Sequence, residues 1–294
     1  MNTDSVAKLF PIIDTHQHLW DVNKVRPPWL QNAGKLNRSF VMADYLQATA
    51  GLNVVKTVYM EVDAAPADRI AEAEYVTEIC KRGDSPMVAA VISGSPDSPD
   101  FGDYLKRFKT NRYIKGLRSL LHRPNTPAGT CLKSAYVRGV QLLGEIGWSF
   151  DICIHAASLS DGARLVDACP GTRFILDHCG NANVQWAANA PEREQWQHDI
   201  AQLAQRKHIV CKISGIIASA KPDVWKPDDL APYVKHCIAE FGWDRVMFAG
   251  DWPVCTKTAT FKQWVETLKT IVADATDEQK RKLFHDNAVK FYVL

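Results

Sequence analysis

Nowhere does the 294-residue chain string together the roughly 20 apolar residues that a membrane-spanning helix needs. Charge of one sign is not in excess either. The 35 basic and 33 acidic side chains leave a formal net charge of +2. Composition therefore gives no reason to expect binding to nucleic acid or to a membrane surface. The eight cysteines form no Cys-x-x-Cys pair, which sets aside a zinc ribbon or a thioredoxin-type redox motif. There is no Gly-x-Ser-x-Gly elbow of a serine hydrolase, no P-loop, and no Gly-rich phosphate turn after the first apolar run. Met1 to Phe10 carries one lysine and no long apolar run, so neither a signal peptide nor an anchor is expected. No low-complexity block, repeat or Pro/Gly linker divides the chain, and residues 1–294 read as one domain. Cys153 and Cys211 sit inside apolar runs, where a reduced thiol acts as a small hydrophobe. That usage points to a reducing, cytoplasmic compartment.

What the chain does have is alternation. Short β-branched runs recur at Ile12–Asp14, Val54–Glu61, Met87–Ile92, Ile114–Arg118, Phe150–His155, Arg173–Asp177, Ile209–Ile213 and Arg245–Ala249. Amphipathic stretches lie between them, at Ala67–Arg82, Ser134–Ile146, Arg193–Lys207, Leu230–Phe241 and Thr260–Ala273. In Ser134–Ile146 the apolar residues Val137, Val140, Leu143 and Ile146 recur every third position, as one helix face does. The strands are near-continuously apolar, as a parallel sheet covered on both faces requires. Eight such units in one domain imply closure into a (β/α)8 barrel. The tail Asp277–Leu294 reads as an extra C-terminal helix packed outside it.

In such a barrel the chemistry gathers at the carboxyl ends of the strands. Four of the nine histidines fall there, at 16, 18, 155 and 178, and His122 lies just beyond the end of the fourth strand. His16 and His18 are two apart in extended chain, so both side chains share one face and make half of a metal site. An isolated His-x-His is weak, and hydrogen-bonded loop histidines would look the same. With His155 and Asp251 at other strand ends, a site is the better reading. His178 is a further ligand or a general acid. Asp251, before a Trp-Pro turn, can bind metal, take a proton from water, or cap the next segment. Arg118 has the planar fork that holds carboxylate or hydroxyl oxygens, with an ion pair to Glu61 or Asp63 as the equal alternative. Glu61 and Lys212 are weaker candidates that can pair inside the barrel mouth. Trp20, Trp29 and Trp252 can wall a pocket for a sugar or a small ring.

These residues resemble the amidohydrolase superfamily, in its amidohydrolase-related, sugar-lactonase-like branch. The resemblance rests on Ile-Ile-Asp-Thr-His16-Gln-His18-Leu-Trp-Asp, Lys-Gly-Leu-Arg118, Asp-Ile-Cys-Ile-His155 and Phe-Ile-Leu-Asp-His178-Cys-Gly. It continues through Cys-Lys-Ile-Ser-Gly and Phe-Ala-Gly-Asp251-Trp-Pro to the tail Asn287-Ala-Val-Lys-Phe-Tyr, and so covers nearly the whole chain. It implies a barrel hydrolase opening a small lactone, most readily an L-fucono- or L-rhamnono-lactone-like sugar-acid lactone. By that resemblance His16, His18, His155 and Asp251 hold one divalent metal, zinc, and His178 stands near the substrate. Some lactonases of the branch work without metal, and the same imidazoles would then polarise the carbonyl themselves. Lys115 precedes Gly-Leu-Arg118 and is off the position of a bridging lysine, so a mononuclear site is expected.

The expected chemistry has Asp251 activating water and His178 aiding the oxyanion or the leaving alkoxide. Arg118, Glu61, His122 and Trp29 are expected to contact the substrate. One alternative is a zinc-dependent decarboxylase of an unsaturated or aromatic acid on the same scaffold. The other is a non-catalytic small-molecule-binding barrel, which is disfavoured because converging buried polar groups are costly to keep without a use.

Overall fold

The computed structural model describes residues 10–294. The N-terminal stretch through Leu9, expected to carry no signal or anchor, lies outside the described residues. Eight strands form one sheet in chain order: β1 (Ile12–Gln17), β2 (Val54–Met60), β3 (Met87–Ser93), β4 (Ile114–Arg118), β5 (Ser149–Ile152), β6 (Arg173–Leu176), β7 (Ile209–Ile213) and β8 (Val246–Phe248). Each neighbouring pair is parallel. Between β8 and β1 the seam is tied by separate contacts. The Thr15 hydroxyl donates to the Phe248 carbonyl at 2.7 Å, and the Gly250 N–H donates to the Asp14 carboxylate at 2.7 Å. Gln17 and Trp252 form an isolated parallel bridge. The result is the expected (β/α)8 barrel, nearly closed. Among the described residues no helix is long and apolar enough to cross a membrane.

The helix predicted over Ser134–Ile146 spans Ser134–Glu145, and its buried face is Tyr136, Gly139, Val140 and Leu143. Val137 and Ile146 are only partly buried. A strict three-residue repeat drifts off a helix that turns every 3.6 residues, so the ends of the predicted stripe rotate toward the rim.

One expectation about an element end is corrected. Strand β5 stops at Ile152 rather than running on to His155. Beyond it only an isolated Leu121–Ile154 bridge remains, and a 3-10 turn over Ala156–Ser158 begins directly after His155. The tail is the expected C-terminal helix, with a π-turn in its middle. It runs from Asp277–Arg281 through a π-helical turn over Lys282–Asp286 into Asn287–Tyr292. Tyr292 packs with Val58, Met60, Ala89, Val91, Ile175 and Met247, residues of the barrel strands. Lys115 donates to the Val293 carbonyl at 3.3 Å. The tail thus underlies the barrel at the amino ends of the strands, and Lys115 faces that end, away from the mouth.

Candidate active site

At the mouth, period-two geometry does what the His-x-His spacing predicts. The His16 and His18 rings lie edge to face with centroids 4.8 Å apart. Asp14, two residues earlier, anchors the turn by accepting from the His16 N–H at 3.0 Å and the Tyr45 hydroxyl at 2.9 Å. Across the seam, Asp251 brings one oxygen, Oδ1, to 3.4 Å from His18 Nε2, 3.7 Å from His16 Nε2 and 3.9 Å from His178 Nε2. All four side chains are buried.

These separations are long for hydrogen bonds. They match the spacing of ligands that share a cation. Donors at about 2.1 Å from an ion in a tetrahedron stand about 3.4 Å apart. The tautomer of His18 agrees. Its Nδ1 lies 3.0 Å from the Met60 carbonyl, which only accepts, so Nδ1 carries a proton and Nε2 is the nitrogen turned to Asp251. His16, His18 and Asp251 therefore fit a divalent ion, with His178 Nε2 alongside.

Cations and carboxylates beneath these groups set their charge. Arg118 donates from Nε to Glu61 Oε1 at 2.6 Å and from Nη2 to the Glu61 carbonyl at 2.9 Å. Its Nη1 lies 3.2 Å from His16 Nε2 and 3.3 Å from Asp177 Oδ2. Lys212, fully buried, donates to Asp151 at 2.6 Å, pairs with Asp177 Oδ1 at 3.2 Å and lies 3.4 Å from His16 Nδ1. Burial, with Lys212 and His178 nearby, holds His16 well below the ordinary imidazole range, so His16 is neutral. Burial would raise Asp251, but His178, His18 and Arg118 more than offset it and keep the carboxyl below its usual range. Asp251 is thus ionised at neutral pH. Burial lowers His178 as well, against the pull of Asp251 and Asp177.

Above the cluster opens a cavity of about 580 Å³. His18, Arg118, His178 and Asp251 line it, with Trp29, His122, Arg123, Asn181 and Lys257 among the other walls. Trp29 is fixed by its indole N–H on the Val62 carbonyl at 2.7 Å. Burial pushes His122 down to about 4, and its Nδ1 faces Cys153 Sγ at 3.3 Å. Glu61 does not line the cavity. It serves as the clamp on Arg118, so the ion pair weighed for Arg118 is formed and the guanidinium still borders the cavity.

His155 does not join the cluster. Its side chain is exposed, outside the cavity, with Nε2 3.4 Å from the Arg123 carbonyl. β5 aims Asp151 inward at Lys212, and Cys153 just beyond it faces His122, but pairing ends at Ile152 and the alternation does not carry on to His155. The residues that sequence reasoning passed over are Asp151 and Asp177. Asp177 adjoins His178 at a strand end, and that placement alone could have flagged it.

The family model for amidohydrolases matches residues 13–294. The chain belongs to the amidohydrolase family. An L-fucono-1,5-lactonase of Burkholderia multivorans is 24% identical over 262 residues, covering 85% of each chain. An amidohydrolase from the same species, solved with bound zinc, superposes with a TM-score of 0.84 at 20% identity, covering 96% of this chain and 99% of that one. A 5-carboxyvanillate decarboxylase from Novosphingobium aromaticivorans, complexed with manganese, superposes with a TM-score of 0.66 at 14% identity, covering 97% and 96%.

This amidohydrolase holds His178 by an unusual backbone. His178, Cys179, Gly180 and Asn181 all have positive φ, between 50° and 68°. Gly215, with φ 69°, passes directly beside the His178 ring, and a methyl group there would collide with it. Gly215→Ala is expected to lower turnover at least 10-fold and stability by about 1–3 kcal/mol. Gly83→Ala, also at positive φ but in open space far from the mouth, is the control. It should lose stability alone, measured by denaturant melts beside initial rates. Equal rates for both variants would refute the positioning of His178 by Gly215.

Proposed function

We propose that this amidohydrolase opens a small lactone, a sugar-acid lactone of the L-fucono- or L-rhamnono-lactone kind. The observation that carries the proposal is the single carboxylate oxygen of Asp251 ringed by three imidazole nitrogens at 3.4–3.9 Å on the floor of a ligand-sized cavity. The lactonase name of the Burkholderia multivorans relative supports the substrate class.

In this reading Asp251 accepts a proton from the attacking water. His178, poised by its contact with the Ser214 hydroxyl at 2.9 Å, stabilises the oxyanion or returns a proton to the leaving alkoxide. Arg118 is held rigid by Glu61 and presents its guanidinium edge to substrate oxygens. Trp29 and His122 form the apolar and neutral walls. A divalent ion held by His16, His18 and Asp251 would supply Lewis-acid polarisation and a water of lowered pKa.

The test is a lactone panel read by a pH indicator, with L-fucono-1,5-lactone and L-rhamnono-γ-lactone included. Absence of turnover across the panel would sink the proposal. A second reading rests on the cations bordering the cavity, Arg118, Arg123 and Lys257, which suit a carboxylate. It makes the enzyme a decarboxylase, and carbon dioxide release from aromatic acids separates the two.

Metal content gives a further expectation. His18→Ala should lower bound zinc by one equivalent per chain relative to the wild type, by elemental analysis, and turnover by at least 10-fold. Unchanged zinc in that variant would show that these donors do not hold the ion.

A further inference from the structure

Behind β7, away from the cavity, three thiols converge from distant parts of the chain. Cys179 follows His178, Cys211 lies on β7, and Cys237 lies on the helix Pro227–Phe241. All three are fully buried, and their sulfurs all lie within 4.8 Å of one another. We infer that Cys179, Cys211 and Cys237 form a site for one soft d10 metal ion, separate from the barrel mouth.

The geometry suits such an ion. Three atoms no more than 4.8 Å apart share a centre within about 2.8 Å of each (4.8/√3), close to the zinc–sulfur distance of about 2.3 Å. Thiolate sulfur selects Cu⁺, Zn²⁺ and similar soft ions over hard ones. Besides contacts with one another, the thiols have weak acceptors. Cys179 and Cys211 both point at one acceptor, the Lys212 carbonyl, at a weak 3.7 Å each. Cys179 also stands within the positive-φ run that aims His178, a conformation that persists only where the surroundings fix it. A bond from Cys179 to an ion shared with β7 and the helix would do that. Each thiol that ligates breaks its S–H bond, gives the proton to solvent and forms one sulfur–metal bond. No electron is transferred.

Cd²⁺ is a suitable probe, because its thiolate-to-metal charge-transfer absorption in the ultraviolet is not produced by histidine or carboxylate ligands. The full chain is incubated with Cd²⁺ at denaturant concentrations below the unfolding transition, where native-state opening admits the ion. The wild type and Cys169→Val, a buried thiol outside the triad, are expected to develop the band and bind one equivalent that Cys237→Val does not. In the wild type, Cys179, Cys211 and Cys237 should be protected together from alkylation by bound Cd²⁺, by peptide mapping, while Cys80 and Cys131 are not. That map decides the matter if Cys237→Val fails to fold. No band in the wild type, a band that survives in folded Cys237→Val, or no joint protection would overturn the inference.

Discussion

Asp251→Asn is expected to lower lactone turnover about 10²–10⁴-fold, the range that loss of a general base produces, with the fold intact. The substitution isolates chemistry for two reasons. Asp251 has φ 52°, a left-handed conformation that asparagine tolerates better than alanine or a branched residue would. The amide also keeps the side-chain volume among His16, His18 and His178. What it loses is the charge and the basicity. His178 and His18 hold the carboxyl of Asp251 ionised at neutral pH despite its burial, and an amide cannot accept a proton from water. The measurement is initial rate over the lactone panel, with thermal melts showing that the variant folds. Wild-type turnover in a folded Asp251→Asn would refute the general-base role.

The positions of His16, His18, His178 and Asp251 were legible because two local rules act on them. Period two sets which way a strand residue points, and barrel topology sets which strand ends meet. Neither rule needs knowledge of long-range packing. His155 shows where they stop. Asp-Ile-Cys-Ile-His reads as continuous strand, yet pairing ends at Ile152, and the bridge from Ile154 to Leu121 turns the next residue outward. Strand length depends on what the neighbouring strands offer, here β4 and β6, and that is not written in the β5 segment. The docking place of the tail was hidden for a similar reason. The tail's periodicity shows a helix, but the barrel floor that receives Tyr292 is assembled from β2, β3, β6 and β8. Lys212 and Asp151 were visible as residues and hidden as a pair, since nothing local places positions 61 apart at 2.6 Å.

That pair carries the largest expected change in stability. Lys212 is fully buried and raised above its ordinary range, because Asp151 and Asp177 outweigh the cost of its burial. Lys212→Met keeps most of the volume and removes the charge, leaving two carboxylates in the barrel without their shared cation. Breaking a buried pair from one side costs about 3–5 kcal/mol. The loss should depend on pH in a defined direction. Burial pushes Asp151 up to about 7, so a proton is taken up there on folding, and this contribution to stability is present at low pH and fades as pH rises through about 7. Without Lys212 both aspartates are harder to ionise, so the variant is penalised most where they must be charged. The gap to wild type should therefore be widest at pH 8 and narrow toward pH 5, in denaturant melts at matched ionic strength. Activity should fall too, since Lys212 lies 3.4 Å from His16 Nδ1 and holds Asp177, the carboxylate that faces the same nitrogen at 3.5 Å. A gap that stays constant across that pH range would show that Lys212 is held in place by packing rather than by its carboxylates.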